Sequence, residues 1–243
     1  MTDKPQIICV LEDAQIAHRS GDFVNALKFY EHFFDHALDD DPYALYGVRL
    51  SHCLQGWAEL AAQFPGARSR LEYKKRDTLE FFLQHKDPER FHDYLTICRH
   101  LGLESDALEE FLRLHKQLPK TAAKLVKYLW DDLITAEQWS TCNELLVEPA
   151  QKLDELFSVY DEAARLKDFD PSFDNIKFDQ HIVDTLLQDV QNLVLVLRQG
   201  DRSEDIASAH RQFSLAVQAR DHATLHKQVH AKASFLFAHH STP

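Results

Sequence analysis

The chain has 243 residues, 44% of them hydrophobic, enough to bury a core and to exclude disorder over most of its length. Its formal net charge of -12 is spread along the chain, with an excess at Asp39, Asp40 and Asp41 and again between Asp168 and Asp179. That balance repels nucleic acid and anionic lipid, whose binding rests on Lys and Arg meeting phosphate, and makes a basic partner electrostatically easier than an acidic one.

Only six residues are Gly, against about 7% in an average globular chain, and no run alternates in the manner of a half-buried strand. The expected fold is all-α. The apolar run Ile7 to Leu11 has neither the basic lead nor the small-residue cleavage site of a signal peptide, and no stretch approaches the roughly 18 apolar residues of a membrane span. Cys9, Cys53, Cys98 and Cys142 recur every 44 or 45 residues without a C-x-x-C pair, and read as reduced, buried small hydrophobes, one in each successive helix pair. The expected location is the cytoplasm, with no membrane and no nucleic acid as partner.

Proline punctuates the chain. Pro42, Pro65, Pro88, Pro119 and Pro149 can each open a helix, where the missing N–H is not needed, and Asp41 and Asp87 stand before two of them as N-caps. Reading between these marks predicts helices over 5–20, 22–38, 42–63, 65–85, 88–101, 103–118, 120–132, 136–147, 149–167, 176–199, 203–219 and 221–238. Short connections predict antiparallel hairpins. In the helix over 176–199, Ile182, Val183, Leu186, Leu187, Val190, Leu193, Val194 and Leu197 form an apolar stripe that Gly200 should close.

Two segments repeat one pattern: Gly21, Ala26 and Tyr30, then Gly102, Ala107 and Phe111, with Pro119 twelve residues after Ala107. Gly permits a tight turn, Ala a close helix approach, and the aromatic fills the groove one turn later. Trp139, Cys142 and Leu146 follow the same offsets with Glu137 in place of Gly. Here the chain resembles the tetratricopeptide-repeat family, and the segment Arg49-Leu50-Ser51, Trp57, Leu60 and Phe64-Pro65-Gly66-Ala67 is similar to irregular bacterial relatives of unassigned role.

The resemblance implies helix hairpins stacked as a short right-handed solenoid over residues 1–147, with 148–243 as a helical cap, three of whose helices span about 176–238. It also implies a binding module, scaffold, adaptor or chaperone-like, that takes a peptide or helix of a protein partner in a groove, with no catalysis and no cofactor. Carrying the family's groove-facing positions over by the Gly alignment gives Glu89, His92, Thr96, Arg99, Lys124, Lys127 and Asp131 as partner-binding residues. The run Leu193 to Leu197 leaves a separate bundle or a dimer interface open, so both monomer and homodimer are compatible with the sequence.

Five patterns suggest other chemistry. His222, His226 and His230 share one helix face, with His239 and His240 nearby, and His32 and His36 precede Asp39 and Asp40; either pair at i, i+4 can chelate zinc or nickel. A solvated or partner-facing His stripe is the competing reading of both. Glu89-x-x-His92 stands alone, where a di-iron bundle needs two such motifs. His92-Asp93 resembles the adjacent metal ligands of His-Asp phosphohydrolases, a competing enzyme reading in which His85 or His52 would assist, although Tyr94-Leu95-Thr96 departs from that family. Asp168 to Asp179 spaces oxygens like a calcium loop, but Phe173 occupies the obligatory Gly position, which favours an acidic connector whose Phe residues tack onto the core.

Overall fold

The computed structural model of the chain describes residues 6–41, 43–220 and 222–237, with backbone alone for Gln6, Asp40 and residues 230–236. Pro42, His239 and His240, and the side chains of Asp40, His230 and Phe235, fall outside the described residues. All regular structure among these residues is helical, and none of these helices is long and apolar enough to cross a membrane. Two compact units divide the chain between Leu129 and Trp130, whereas the sequence reading placed its division at 147/148.

The N-terminal unit contains α1 (Gln6–Ser20), α2 (Phe23–Asp40), α3 (Ala44–Val48), α4 (Leu54–Gln63), α5 (Pro65–His85), α6 (Pro88–Leu101), α7 (Glu104–Gln117) and α8 (Pro119–Leu125). Each helix packs on the next, and α6 also meets α4 and α8. Pro65, Pro88 and Pro119 each open a helix as expected, and the Asp87 carboxylate caps α6 through the Glu89 N–H at 3.0 Å. A core of Tyr30, Phe33, Phe34, Leu54, Trp57, Leu60 and Leu71 joins α1, α2, α4 and α5.

Helices α3 and α4 are continuous through a π-turn at Arg49–Cys53. Residues Leu45, Arg49, Cys53, Trp57 and Ala61 are all buried and recur every four positions. In an ordinary α-helix a four-residue step overshoots one turn by about 40°, so this stripe would rotate off the core. The wider π-turn takes up the drift and keeps Arg49 and Trp57 facing inward.

The repeated Gly pattern makes real turns. Gly21 has φ 81° and Gly102 φ 70°, and in each turn the next residue's N–H reaches back five positions, Asp22 to the Ala17 carbonyl and Leu103 to the Cys98 carbonyl, both at 2.9 Å. Ala26, Tyr30, Ala107 and Phe111 are fully buried behind them. Glu137 takes the same left-handed conformation, with Gln138 N–H on the Leu133 carbonyl at 2.8 Å, so a glycine is replaced there without loss of the turn. Cys142 and Leu146 are buried as the offsets require.

The C-terminal unit contains α9 (Trp130–Thr135), α10 (Trp139–Leu145), α11 (Pro149–Ala164), α12 (Leu166–Phe169), α13 (Ile176–Gln199), α14 (Ser203–Gln218) and α15 (Ala223–Leu236). Helix α13 is its axis, packing on α10, α11, α14 and α15, and buries its whole apolar stripe within the unit. Gly200 closes the helix as its C-cap, as expected, with ordinary backbone, and Asp201 after it takes the left-handed position at φ 54°. Gly200 is needed for space, because a Cβ there would lie 2.2 Å from the Asn143 side-chain oxygen.

The helix expected over 120–132 is likewise broken. Helix α8 passes into a 3-10 turn at Val126–Tyr128, and α9 starts afresh at Trp130 with Asp131 and Asp132 in its first turn, where carboxylates meet the free N–H groups.

Candidate functional site

The richest polar cluster lies in the N-terminal unit, where the helix of α3 meets α6 and the 3-10 turn after α8. Tyr46 comes from α3, Glu89 and His92 from α6, and Tyr128 from the 3-10 turn. Both phenols donate to Glu89, Tyr46 to Oε2 and Tyr128 to Oε1 at 3.0 Å. His92 stacks on Tyr128 with ring centroids 4.1 Å apart and planes at 12°, and its Nδ1 lies 2.7 Å from the Tyr46 hydroxyl.

The protons follow from this arrangement. Desolvation alone would raise the Glu89 carboxyl, but hydrogen bonds from Tyr46 and Tyr128 and the nearby Lys127 charge hold it below the usual carboxylate range. An ionised Glu89 accepts the Tyr46 O–H, so His92 Nδ1–H must donate to the Tyr46 oxygen, leaving Nε2 as an acceptor. Burial, followed by the Glu89 charge in the opposite sense and Arg99 in the same sense, pushes the His92 imidazole down to about 4. A ring that stays neutral to such low pH is a weak base, ill matched to proton abstraction near neutrality.

Stability should follow that shift. Between pH 6.5, the ordinary value, and about 4, the unfolded chain binds a proton on residue 92 that the folded one does not. Stability therefore rises with pH across this window, by up to about 1.4 kcal/mol per pH unit, less what solvent reaching the half-buried ring screens. Chemical denaturation of His92→Gln against the parent chain should show a flatter profile from pH 4 to 6.5 and no difference in slope above it.

Beneath the cluster lies a buried ion pair. Arg49 is 2% exposed and Asp93 1%, and both guanidinium N–H groups of Arg49 reach the two carboxylate oxygens. Arg90 adds a third bond to Asp93 at 3.2 Å, and the Arg49 guanidinium sits 4.4 Å over the Phe34 ring. Burial raises the Asp93 carboxyl, against the pull of Arg49 and Arg90. His100 Nε2 meets the Leu50 carbonyl at 3.2 Å, so α6 is fastened to the π-turn at two points.

Of the residues expected to bind a partner, four converge on Tyr128. Glu89 and His92 touch it as described, Arg99 donates to its carbonyl at 2.8 Å, and the Lys127 ammonium stands 4.7 Å over its ring. Thr96 instead bonds back to the His92 carbonyl at 2.8 Å, and Lys124 is exposed on α8. Asp131 belongs to the C-terminal unit, where its charge raises the Asp189 carboxyl after burial has done so.

Sequence reasoning missed Tyr46, Tyr128 and Arg49. One signal was available: Asp93 falls among Phe91, Tyr94, Leu95 and Ile97 on the apolar side of α6, and a charge there requires a buried partner.

The other motifs resolve into local bonds. His92 and Asp93 point to different partners, Tyr46 and Tyr128 for the one, Arg49 and Arg90 for the other. His85 packs on Phe81, with ring centroids 4.3 Å apart, and His52 lies in the π-turn. His222 caps α15 and His226 meets the Arg220 carbonyl at 2.7 Å, while His36 pairs with Asp39 at 3.0 Å. Among the described residues no group of three or more His, Cys, Asp or Glu is placed to hold a metal.

In the acidic connector Asp170 caps the turn Pro171–Phe173, and Phe173 packs on Phe178 with centroids 4.9 Å apart. The expectation that its Phe residues cover the core is corrected for Phe169, which is 83% exposed.

Comparison with protein-family models, with curated proteins and with solved structures finds no match to this chain.

Proposed function

We propose that the N-terminal unit is a tetratricopeptide-like protein-binding module, and that the face formed by Tyr46, Glu89, His92, Arg99, Lys127 and Tyr128 receives a peptide or helix of a partner protein. The observation that carries this reading is the Glu89 network itself, in which two phenols, a carboxylate and a neutral imidazole fix one another beside two cations. Such a surface is pre-organised, so binding would lose little side-chain entropy, and aromatic and Arg anchors of this sort dominate binding energies. The partner segment places an acidic group against Arg99 and Lys127 and apolar surface along the tyrosine edges.

A photo-crosslinking residue at Lys124, with a control at Ser69 on α5, tests this in cells producing the protein. The expected result is a discrete protein adduct at Lys124 alone, whose purified partner binds Tyr128→Ala at least roughly tenfold more weakly. Identical adducts at the two positions, or undiminished binding by Tyr128→Ala, would overturn the assignment.

A further inference from the structure

A cleft of about 360 Å³ opens between α1, α2 and the start of α4, lined by Gln15, His18, Arg19, Tyr30, Gln55 and Glu59 among others. Its volume equals roughly a dozen waters, room for a small organic molecule. Tyr30 forms one wall. The residue is 1% exposed, and it is among those that line the opening.

The backbone opposite is shaped for the Tyr30 hydroxyl. A Cβ on Gly56 would stand 2.5 Å from it, so only glycine lets the phenol reach the cleft. An aromatic at this place in the repeat pattern is expected to fill the groove between helices. Here it instead carries a polar atom to an opening.

Two opposite charges flank the same group. Arg19 and Glu59 line the cleft together with Tyr30, and the phenol, pushed up to about 12 by burial first and then by Cys53 and Glu59, is pulled the other way by Arg19. Glu59 and Arg19 are exposed and form no ion pair with each other, while the Gln55 amide donates to Glu59 at 3.0 Å.

We propose that this cleft binds a small zwitterion of the α-amino-acid class, its carboxylate held by Arg19 and the Tyr30 hydroxyl and its ammonium by Glu59. A guanidinium fork and a phenol O–H suit a carboxylate, and a carboxylate suits an ammonium. A dicarboxylate would meet Glu59 with like charge, and a diamine would meet Arg19 in the same way. The cleft is argued independently of the peptide-binding face, and its test does not involve a protein partner.

The full-length chain would be screened by thermal shift against the common L-amino acids, with succinate and putrescine as controls, and hits measured by calorimetry. The expected result is saturable binding of at least one amino acid, weakened at least roughly tenfold by Arg19→Gln and by Glu59→Gln. Tyr30→Phe should weaken it by a smaller factor, and Arg19→Lys should fall between Arg19→Gln and the parent. Both charged side chains are exposed, so the melting temperature without ligand should be unchanged in their variants. The proposal is overturned if no amino acid gives saturable heat, if Arg19→Gln and Glu59→Gln bind as the parent does, or if succinate or putrescine binds as tightly.

Discussion

Asp93→Ala is expected to destabilise the N-terminal unit by about 3–5 kcal/mol, because it leaves the Arg49 guanidinium buried without its counter-ion. The loss would be severe on a net stability of about 5–15 kcal/mol. Among the described residues Arg49 has no other carboxylate partner, and its Nε lacks a hydrogen bond there. Replacing both charges, Arg49→Met with Asp93→Leu, should restore most of the stability, since two apolar side chains of similar size need no desolvated ions. Urea unfolding, followed by amide exchange in α2 and α4, reads both effects. Equal stabilities for parent and Asp93→Ala would mean that the pair is solvated and not a structural clasp.

Leu193→Asp should have a still larger effect on the other unit. Leu193 is 1% exposed at the centre of the α13 stripe, flanked by Val190, Val194 and Leu197 in the packing against α10, α11, α14 and α15. The substitution removes roughly 2–3 kcal/mol of apolar burial and puts a carboxylate among buried apolar side chains. Peptides of α11, α13 and α14 should then exchange their amides as an unfolded chain does. The core of Tyr30, Phe34, Trp57 and Leu71 is built within the N-terminal unit, so peptides of α2 and α4 should keep their protection. Loss of protection in all of them together would show that the units fold as one, as a capping role for the C-terminal helices requires. A Leu193→Asp chain that stayed folded but changed from dimer to monomer would instead make the stripe an interface.

Much of this architecture was legible because it is local. Pro65, Pro88, Pro119 and Pro149 open helices for reasons that lie in their own rings, and Gly21 and Gly102 adopt backbones that few other residues tolerate. Where a side chain merely tolerates the same conformation, as Glu137 and Asp201 do, composition is silent and only the spacing of the neighbours hints at a turn.

The proposed face was half legible. Glu89, His92, Arg99 and Lys127 came from the resemblance to the repeat family, carried over by the Gly alignment, but Tyr128 reaches them because α8 gives way to a 3-10 turn, which no pattern in Val126-Lys127-Tyr128-Leu129 announces. Arg49 and Asp93 are 44 residues apart, and their pairing depends on a π-turn whose cause, a buried stripe recurring every four residues, is visible only once burial is known. Long-range pairing of polar side chains leaves no periodic trace.

The evenly spaced cysteines have a practical outcome for chemistry at sulfur. Cys53, Cys98 and Cys142 are buried, and burial pushes all three thiols up, to about 11 for Cys98 and Cys142, whereas Cys9 is exposed on α1. A maleimide or a mild oxidant acts on the thiolate and must reach it. In the native chain, Cys9 alone among the four meets the access condition, so a fluorophore or spin label can be attached to the first helix without engineering. The appearance of the other three as reactive sulfhydryls becomes a direct chemical clock for the opening of the core around them.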